Sequence, residues 1–193
     1  SDIHHIVPTD GKVNGNRSNF PFGKVGTANF VSANGSKRGT SASPNYSGTV
    51  FEPIDEFKGD VARMILYFAT RYESKLSTFS DNDILTNTAF PGVEAWELAV
   101  LKEWHTNDPV SQREIDRNNA AYTYQGNRNP FIDHPEYVAL IWGTTTPDTE
   151  APTTPTNLTV TGSTSSSISL SWTASTDNII VSAYDIYVDG TLK

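Results

Sequence analysis

Apolar residues recur at three- to four-residue intervals in two stretches of the chain, and the long helices are predicted from them. Val61, Ile65, Phe68 and Tyr72, with Met64 and Leu66 filling out the stripe, predict a buried helix from Gly59 to about Tyr72. Asp60 in its first turn and Arg71 in its last both suit the helix dipole. Arg63, set between apolar positions of this helix, either pairs with a carboxylate such as Glu52 or faces a cleft. Trp96, Val100 and Trp104 share one face of a second helix from about Val93 to His105, where paired tryptophans read as core. Asp108 followed by Pro109 signals a third helix, about Pro109 to Tyr122, exposed on the side that carries Arg113, Glu114, Asp116 and Arg117. A last short helix, capped by Asp133, is expected through Tyr137 and Leu140 to Trp142. Residues 24–50, rich in Gly and Ser, read as loops with short strands near Val25 and Val50, and residues 74–91 as a polar connection.

The pattern changes at Gly143. Residues 143–155, GTTTPDTEAPTTP, hold three prolines and no aliphatic residue larger than Ala, which describes a semi-rigid linker. Alternating runs follow at Leu158 and Val160, at Ile168, Leu170 and Trp172, and at Tyr184, Ile186 and Val188, each reading as a half-buried strand. The proline-rich entry, Trp172 on the second strand and Tyr184 on the third resemble the opening of a fibronectin type III domain. Such sandwiches take about seven strands and about 100 residues. Residues 156–193 are therefore expected to form a partial β-sandwich, after a first domain over residues 1–142.

One stretch fits neither pattern. Asp2 to Gly23 carries His4, His5, Asp10, Asn14, Asn16, Arg17 and Asn19, too many polar groups for core. Thr9 is a candidate cap for a short helix, with Asp10 in its first turn, and Gly15 marks a turn or the close approach of a ligand. Asn14 and Arg17, three residues apart, then share a face. A neutral amide oxygen ligates a hydrated divalent cation without cancelling its charge, and a guanidinium forks onto phosphate oxygens. The plainer reading is an Asn/Ser/Gly loop with satisfied side chains. A second polar stretch, Gln125 to Val138, offers the Gly126–Asn127–Pro130 turn for backbone N–H donation, with Arg128 forking onto phosphate or onto Asp133. His134, beside a proline, reads as a capping or packing residue rather than a base.

Asp2, Ile3, His4, Pro8, Val13, Asn14, Gly15, Arg17, Ser18, Asn19 and Phe20 resemble the second half of the active-site motif of the endonuclease I family of secreted and periplasmic bacterial nucleases. Further matching blocks follow in order at Phe51–Pro53, Lys58–Arg63 and Gln125–Phe131. The resemblance implies an α+β fold, a mostly helical His-Me finger (ββα-metal) nuclease domain, and hydrolysis of phosphodiester bonds in DNA or RNA with little sequence preference. It places Asn14 at the metal-ligand position, with Mg²⁺ the expected ion and Ca²⁺ the alternative, since oxygen ligands suit hard cations. Arg17, Arg128 and Asn127 are the candidate phosphate-binding residues, and His4 with Arg17 the candidate catalytic ones, His4 orienting the site. The family's general-base histidine lies in an earlier Glu-His-Val-x-Pro-type segment that has no match before His4. The chain is thus expected to begin inside the catalytic domain and to be inactive alone. An alternative register makes His5, ahead of Ile6, Val7 and Pro8, the base; nine residues to Asn14 leave too little room for two strands of about five residues and their connection.

Composition narrows the picture little. Of 193 residues 36% are hydrophobic and 11% aromatic, which permits a core, and there is no Cys to form disulfides or thiolate metal sites. The net charge of −8 argues against indiscriminate coating of nucleic acid. Within residues 1–40, however, Lys12, Arg17, Lys24, Lys37 and Arg38 face only Asp2 and Asp10. A lightly basic cleft suits an enzyme that must release product. The expected partner is a nucleic-acid substrate, with no membrane span and no obligate protein partner, in a secreted or periplasmic setting. The competing class is a non-catalytic secreted binding or adhesion protein that keeps a nuclease-like domain. A carbohydrate-active enzyme lacks a defensible carboxylate pair.

Overall fold

A computed structural model describes residues 2–79, 83–143, 151–177, 181 and 184–192. The chain divides into two units, Ser1–Gly143 and Thr144–Lys193; most of the expected linker, at 144–150, lies outside the described residues. The first unit opens with a 3-10 turn at Ile3–His5, then α1 (Gly11–Arg17), β1 (Val25–Val31), β2 (Lys37–Ser41) and β3 (Thr49–Glu52). The helices α2 (Lys58–Arg71), α3 (Ala95–Asn107), α4 (Gln112–Gln125), α5 (Pro130–Asp133) and α6 (Tyr137–Trp142) follow.

The core is helical. Ala62, Ile65, Leu66 and Ala69 of α2 pack with Val100, Leu101 and Trp104 of α3, and Phe131, Val138 and Trp142 close the cluster from α5 and α6. Of the positions the two apolar stripes mark, Val61, Met64, Ile65, Leu66, Val100 and Trp104 lie in this cluster, Phe68 and Tyr72 are only half-buried, and Ala62, Ala69 and Leu101 join it unmarked; burial of such a face is what holds helices of this length. The start of the third helix differs from expectation. Asp108 is the C-terminal cap of α3, and its carboxylate accepts from Gly59 N at 2.8 Å across the interface to α2. Ser111 begins α4 instead, in a reciprocal capping box with Glu114. Asp133 likewise ends α5, whose cap is Asn129.

The sheet is antiparallel, in the order β1-β2-β3. Only β3 enters the core, through Val50 and Phe51. The β1-β2 hairpin stands outside it, exposed over most of β1 and bulged between Ala28 and Phe30. Gly39 of β2 is buried, and a Cβ there would lie 2.0 Å from the Thr27 carbonyl, so only glycine fits against β1. The sheet follows α1; among the described residues no hairpin precedes α1.

In the second unit β4 (Thr156–Ser163) pairs antiparallel with β5 (Ile168–Thr173), and β6 (Tyr187–Val188) with β7 (Thr191–Leu192). Trp172 and Tyr184 meet edge to face at 5.2 Å. Leu158, Val160 and Ile168 are each more than 60% exposed, while Leu170 and Trp172 of β5 are half-buried.

Candidate active site

α1 buries none of its seven residues. Its N-cap is Asp10 rather than Thr9: the carboxylate accepts from Lys12 N at 2.9 Å and Val13 N at 3.0 Å. Gly15 lies inside the helix and not at a turn, with open space where a Cβ would stand. Asn14 is exposed and Arg17 half-buried, with Ser18 ending the helix at a positive φ of 50°. Asn16 Nδ2 donates back to Lys12 O at 2.9 Å. The Arg17 guanidinium stacks 4.7 Å from the Phe22 ring and donates to Ser18 O at 2.9 Å. Burial weakens its hold on the proton, opposed by the negative charge of Glu97, which is fully buried on α3. A partly desolvated guanidinium is a stronger partner for an anion than a fully hydrated one.

The segment leading into α1 is fastened from three directions. Asp2 Oδ1 accepts from His4 N and Gln125 Nε2, and Oδ2 accepts from the hydroxyls of Tyr67 at 2.7 Å and Tyr72 at 3.0 Å. Burial alone would raise the Asp2 carboxyl, but these donors outweigh it and hold it at about 2. Gln125 also accepts from Ile3 N, and the Arg117 guanidinium donates to the carbonyls of Ile3 and Ile6. His4 is 1% exposed, its Nε2 3.0 Å from the Asn127 carbonyl and its ring 5.0 Å from Tyr67. It is therefore an anchor inside the protein, with no hydrogen bond to Asn14 or Arg17 among the described residues.

The second polar stretch serves this anchor. Asn127 donates to Tyr67 Oη and accepts from Gln125 Nε2, both at 2.6 Å. Arg128 forks onto Asp133 at 2.6 and 2.7 Å and reaches Asn119 at 2.9 Å, so its planar donors are already engaged. Arg63 pairs with Glu114 and not with Glu52, which accepts from Val25 N and Lys58 Nζ. Gln125 and Asn127 stood in a matched block, but nothing in the sequence marked Asp2, His4 and Tyr67 as their partners, because those contacts cross 60 residues or more.

Four histidines are placed. His4 is buried, His105 bonds the Pro135 carbonyl beside Arg63, and His134 reaches Glu136. His5 packs against Phe68, and crowding by the protein, with the charge of Arg17, pushes its imidazole below the usual range while the Met64 carbonyl opposes. Between His5 and Asn14 lie only the extended residues before Asp10 and the first turn of α1.

Among the described residues no three His, Asp or Glu side chains converge on a possible metal position. Asn14 offers one neutral oxygen. That suits an ion carried mainly by water and phosphate, as Mg²⁺ commonly is with one or two protein ligands, and does not suit a closed cage. A cavity of about 350 Å³ bordered by Arg63, Lys102, His105 and Pro135 includes no residue of α1 and adjoins the buried ion pair.

The matched sequence extends over most of the first unit: residues 1–136 fit the family described as Endonuclease I. The chain belongs to the endonuclease I family. It is 43% identical over 146 residues to the extracellular ribonuclease of Bacillus subtilis (strain 168), covering 74% of this chain and 46% of that protein. It is 26% identical over 132 residues to Endonuclease-1 of Buchnera aphidicola subsp. Baizongia pistaciae, covering 68% of this chain and 46% of that one. The chain thus spans about half the length of these relatives. A shorter match, 68% identical over 40 residues, is to chitinase A1 of Niallia circulans, covering 21% of this chain and 6% of that enzyme. No helix among the described residues is long and apolar enough to cross a membrane.

Proposed function

We propose that the chain is part of a secreted endonuclease that hydrolyses phosphodiester bonds in DNA or RNA with little sequence preference, and that α1 carries its substrate-facing groups. One observation supports this most: a short helix with no core face is nonetheless fixed, by the Asp10 cap and by the Asp2–His4 anchor behind it. The resemblance of residues 2–20 to the second half of the family's active-site motif supports the same reading.

In this reading Asn14 gives one oxygen to a divalent ion, Mg²⁺ or else Ca²⁺, which when bound supplies charge to the developing phosphorane and leaving oxygen. Arg17 holds a phosphate oxygen from the half-buried side, where its charge is least screened. His4 keeps the approach to α1 in place and acts on the reaction only through that placement. Arg128 and Asn127 contribute to substrate binding only if the Asp133 and Tyr67 contacts open. The general base comes from a histidine segment outside residues 1–193. A second reading makes His5 the base, favoured by a single fact: burial, with the charge of Arg17, weakens the hold of its ring on a proton, the direction that suits a base.

Plasmid nicking with Mg²⁺ separates the two. The 193-residue chain, the same chain extended upstream through a histidine segment, and the extended form with Asn14→Ala are compared. Cutting by the extended wild type alone is expected. Cutting by the 193-residue chain that is lost in His5→Ala overturns the upstream base, and full activity of Asn14→Ala overturns the metal role. The binding-protein alternative stands if no form cuts.

A further inference from the structure

The β1-β2 hairpin holds a group of side chains that neither the core nor the α1 site uses. Arg38 on β2 lies with its guanidinium carbon 5.9 Å from the centre of the Phe20 ring and 6.0 Å from that of Phe30, its cross-strand partner. All three are half-buried. The bulge between Ala28 and Phe30 re-aims Asn29, whose Oδ1 accepts from Arg38 Nε at 2.9 Å. Arg38 Nη1 reaches the carbonyl of Asn16, so this cluster adjoins the C-terminal end of α1.

From these contacts we infer that Phe20, Phe30 and Arg38 form a stacking subsite for an unpaired base of a single-stranded polynucleotide. The inference rests on the nuclease reading and names the substrate form that the site prefers. Two half-exposed rings flanking a planar cation present the surfaces on which bases stack, and every base has a π-face, so the subsite is tolerant of sequence. A base inside a duplex is already stacked on both sides and cannot enter. Charge points the same way. Within residues 1–40 Lys12, Arg17 and Arg38, with only Asp2 and Asp10 as acids, give a strand that runs from the hairpin to α1 cations to pass. Lys37, next along β2, projects to the opposite face, where its charge acts on Asp55.

Binding is measured by fluorescence anisotropy in EDTA, so that no strand is cut. The probes are a labelled single-stranded 12-mer, its duplex, and an abasic 12-mer with the same phosphates. The wild-type chain is expected to favour the base-bearing single strand over both others. Phe30→Leu and Arg38→Lys each weaken that binding about 10-fold and leave the abasic strand within about 2-fold, which also shows that the variants fold. Lys37→Gln, on the opposite face, leaves all three strands within about 2-fold of wild type. Equal losses on base-bearing and abasic strands, or no preference by the wild type for the base-bearing strand, overturn the stacking subsite alone. Failure to bind any of the three overturns the subsite together with the nuclease reading.

Discussion

The ion pair between α2 and α4 offers a quantitative check on how the helical core tolerates charge. Arg63 is fully buried, and its Nε and Nη2 meet the two oxygens of Glu114 at 2.6 and 2.8 Å, while Nη1 donates to the Asp108 carbonyl at 2.9 Å. Arg63→Met removes the countercharge and leaves Glu114 with only Ser111 at 2.9 and 3.2 Å, so it is expected to cost about 3–5 kcal/mol. Glu114→Gln leaves Arg63 with a neutral oxygen, the Asp108 carbonyl and Asp60 at 3.9 Å, and should cost about 2–3 kcal/mol. The double variant buries no unpaired charge and loses mainly hydrogen bonds, about 1–2 kcal/mol. The cycle therefore predicts a coupling of about 5 kcal/mol and no less than about 3, at or beyond the upper end for contacting residues. Urea denaturation at pH 7, followed through the buried Trp96, Trp104 and Trp142, measures it. Single-variant losses that add to within about 0.5 kcal/mol would refute the pairing as the reason for the buried arginine.

Asp60 lies beside this pair, and burial with the repulsion of Glu114 lifts its carboxyl to about 6 despite Arg63 and Arg113. The folded chain then keeps a proton that the unfolded chain releases near 3.8, so this group's contribution to stability falls as pH rises from 3.8 to about 6. Asp60→Asn is expected to be more stable than wild type above pH 6, by about 1–2 kcal/mol after allowance for solvent screening, and no different below about pH 4; an offset independent of pH sinks this. Asp2 has the opposite sign. Held at about 2, it stabilises the fold fully above its unfolded value of 3.8 and loses that effect as pH falls to about 2. Asp2→Asn should therefore cost about 1 kcal/mol at neutral pH, discounted for exposure, with a gap in melting temperature that closes near pH 2.

The helices were legible where their periodicity was long. α2 and α3 fall within about two residues of the stripes because burial against each other is what makes them helices. The start of α4 was misread for a local reason: Asp108-Pro109 and Ser111-x-x-Glu114 both signal a helix start, and the fold uses the second because Asp108 faces Gly59 across the interface. β2 was missed because KRGTS has no apolar alternation; pairing with β1 and β3, and the space Gly39 leaves, make it a strand. Of the candidate site, Asn14 and Arg17 were legible because one helical turn fixes their relation. Arg63, Arg128 and Asn127 were legible only as polar residues in need of partners. Their partners lie 51, 5 and 60 residues away, and spacing marks only the second of these.

Those partners also bear on why α1 exists as a helix. Seven residues are well short of the length that is stable alone in water, and Gly15 in the helix interior costs roughly 0.5–1 kcal/mol relative to alanine. No apolar face compensates. What holds α1 is its Asp10 cap, together with Tyr67, Tyr72, Arg117, Gln125 and Asn127 fastening the residues just before it. Groups from α2, α4 and the following turn are thus committed to placing a helix that buries no residue of its own. Local preference and global fold disagree here more than anywhere else in the first unit, and such disagreement concentrates where a chain is shaped for a ligand rather than for stability. The same reasoning covers the hairpin that carries Phe30 and Arg38, whose outer strand is exposed along most of its length and yet carries an aromatic side chain beside a bulge.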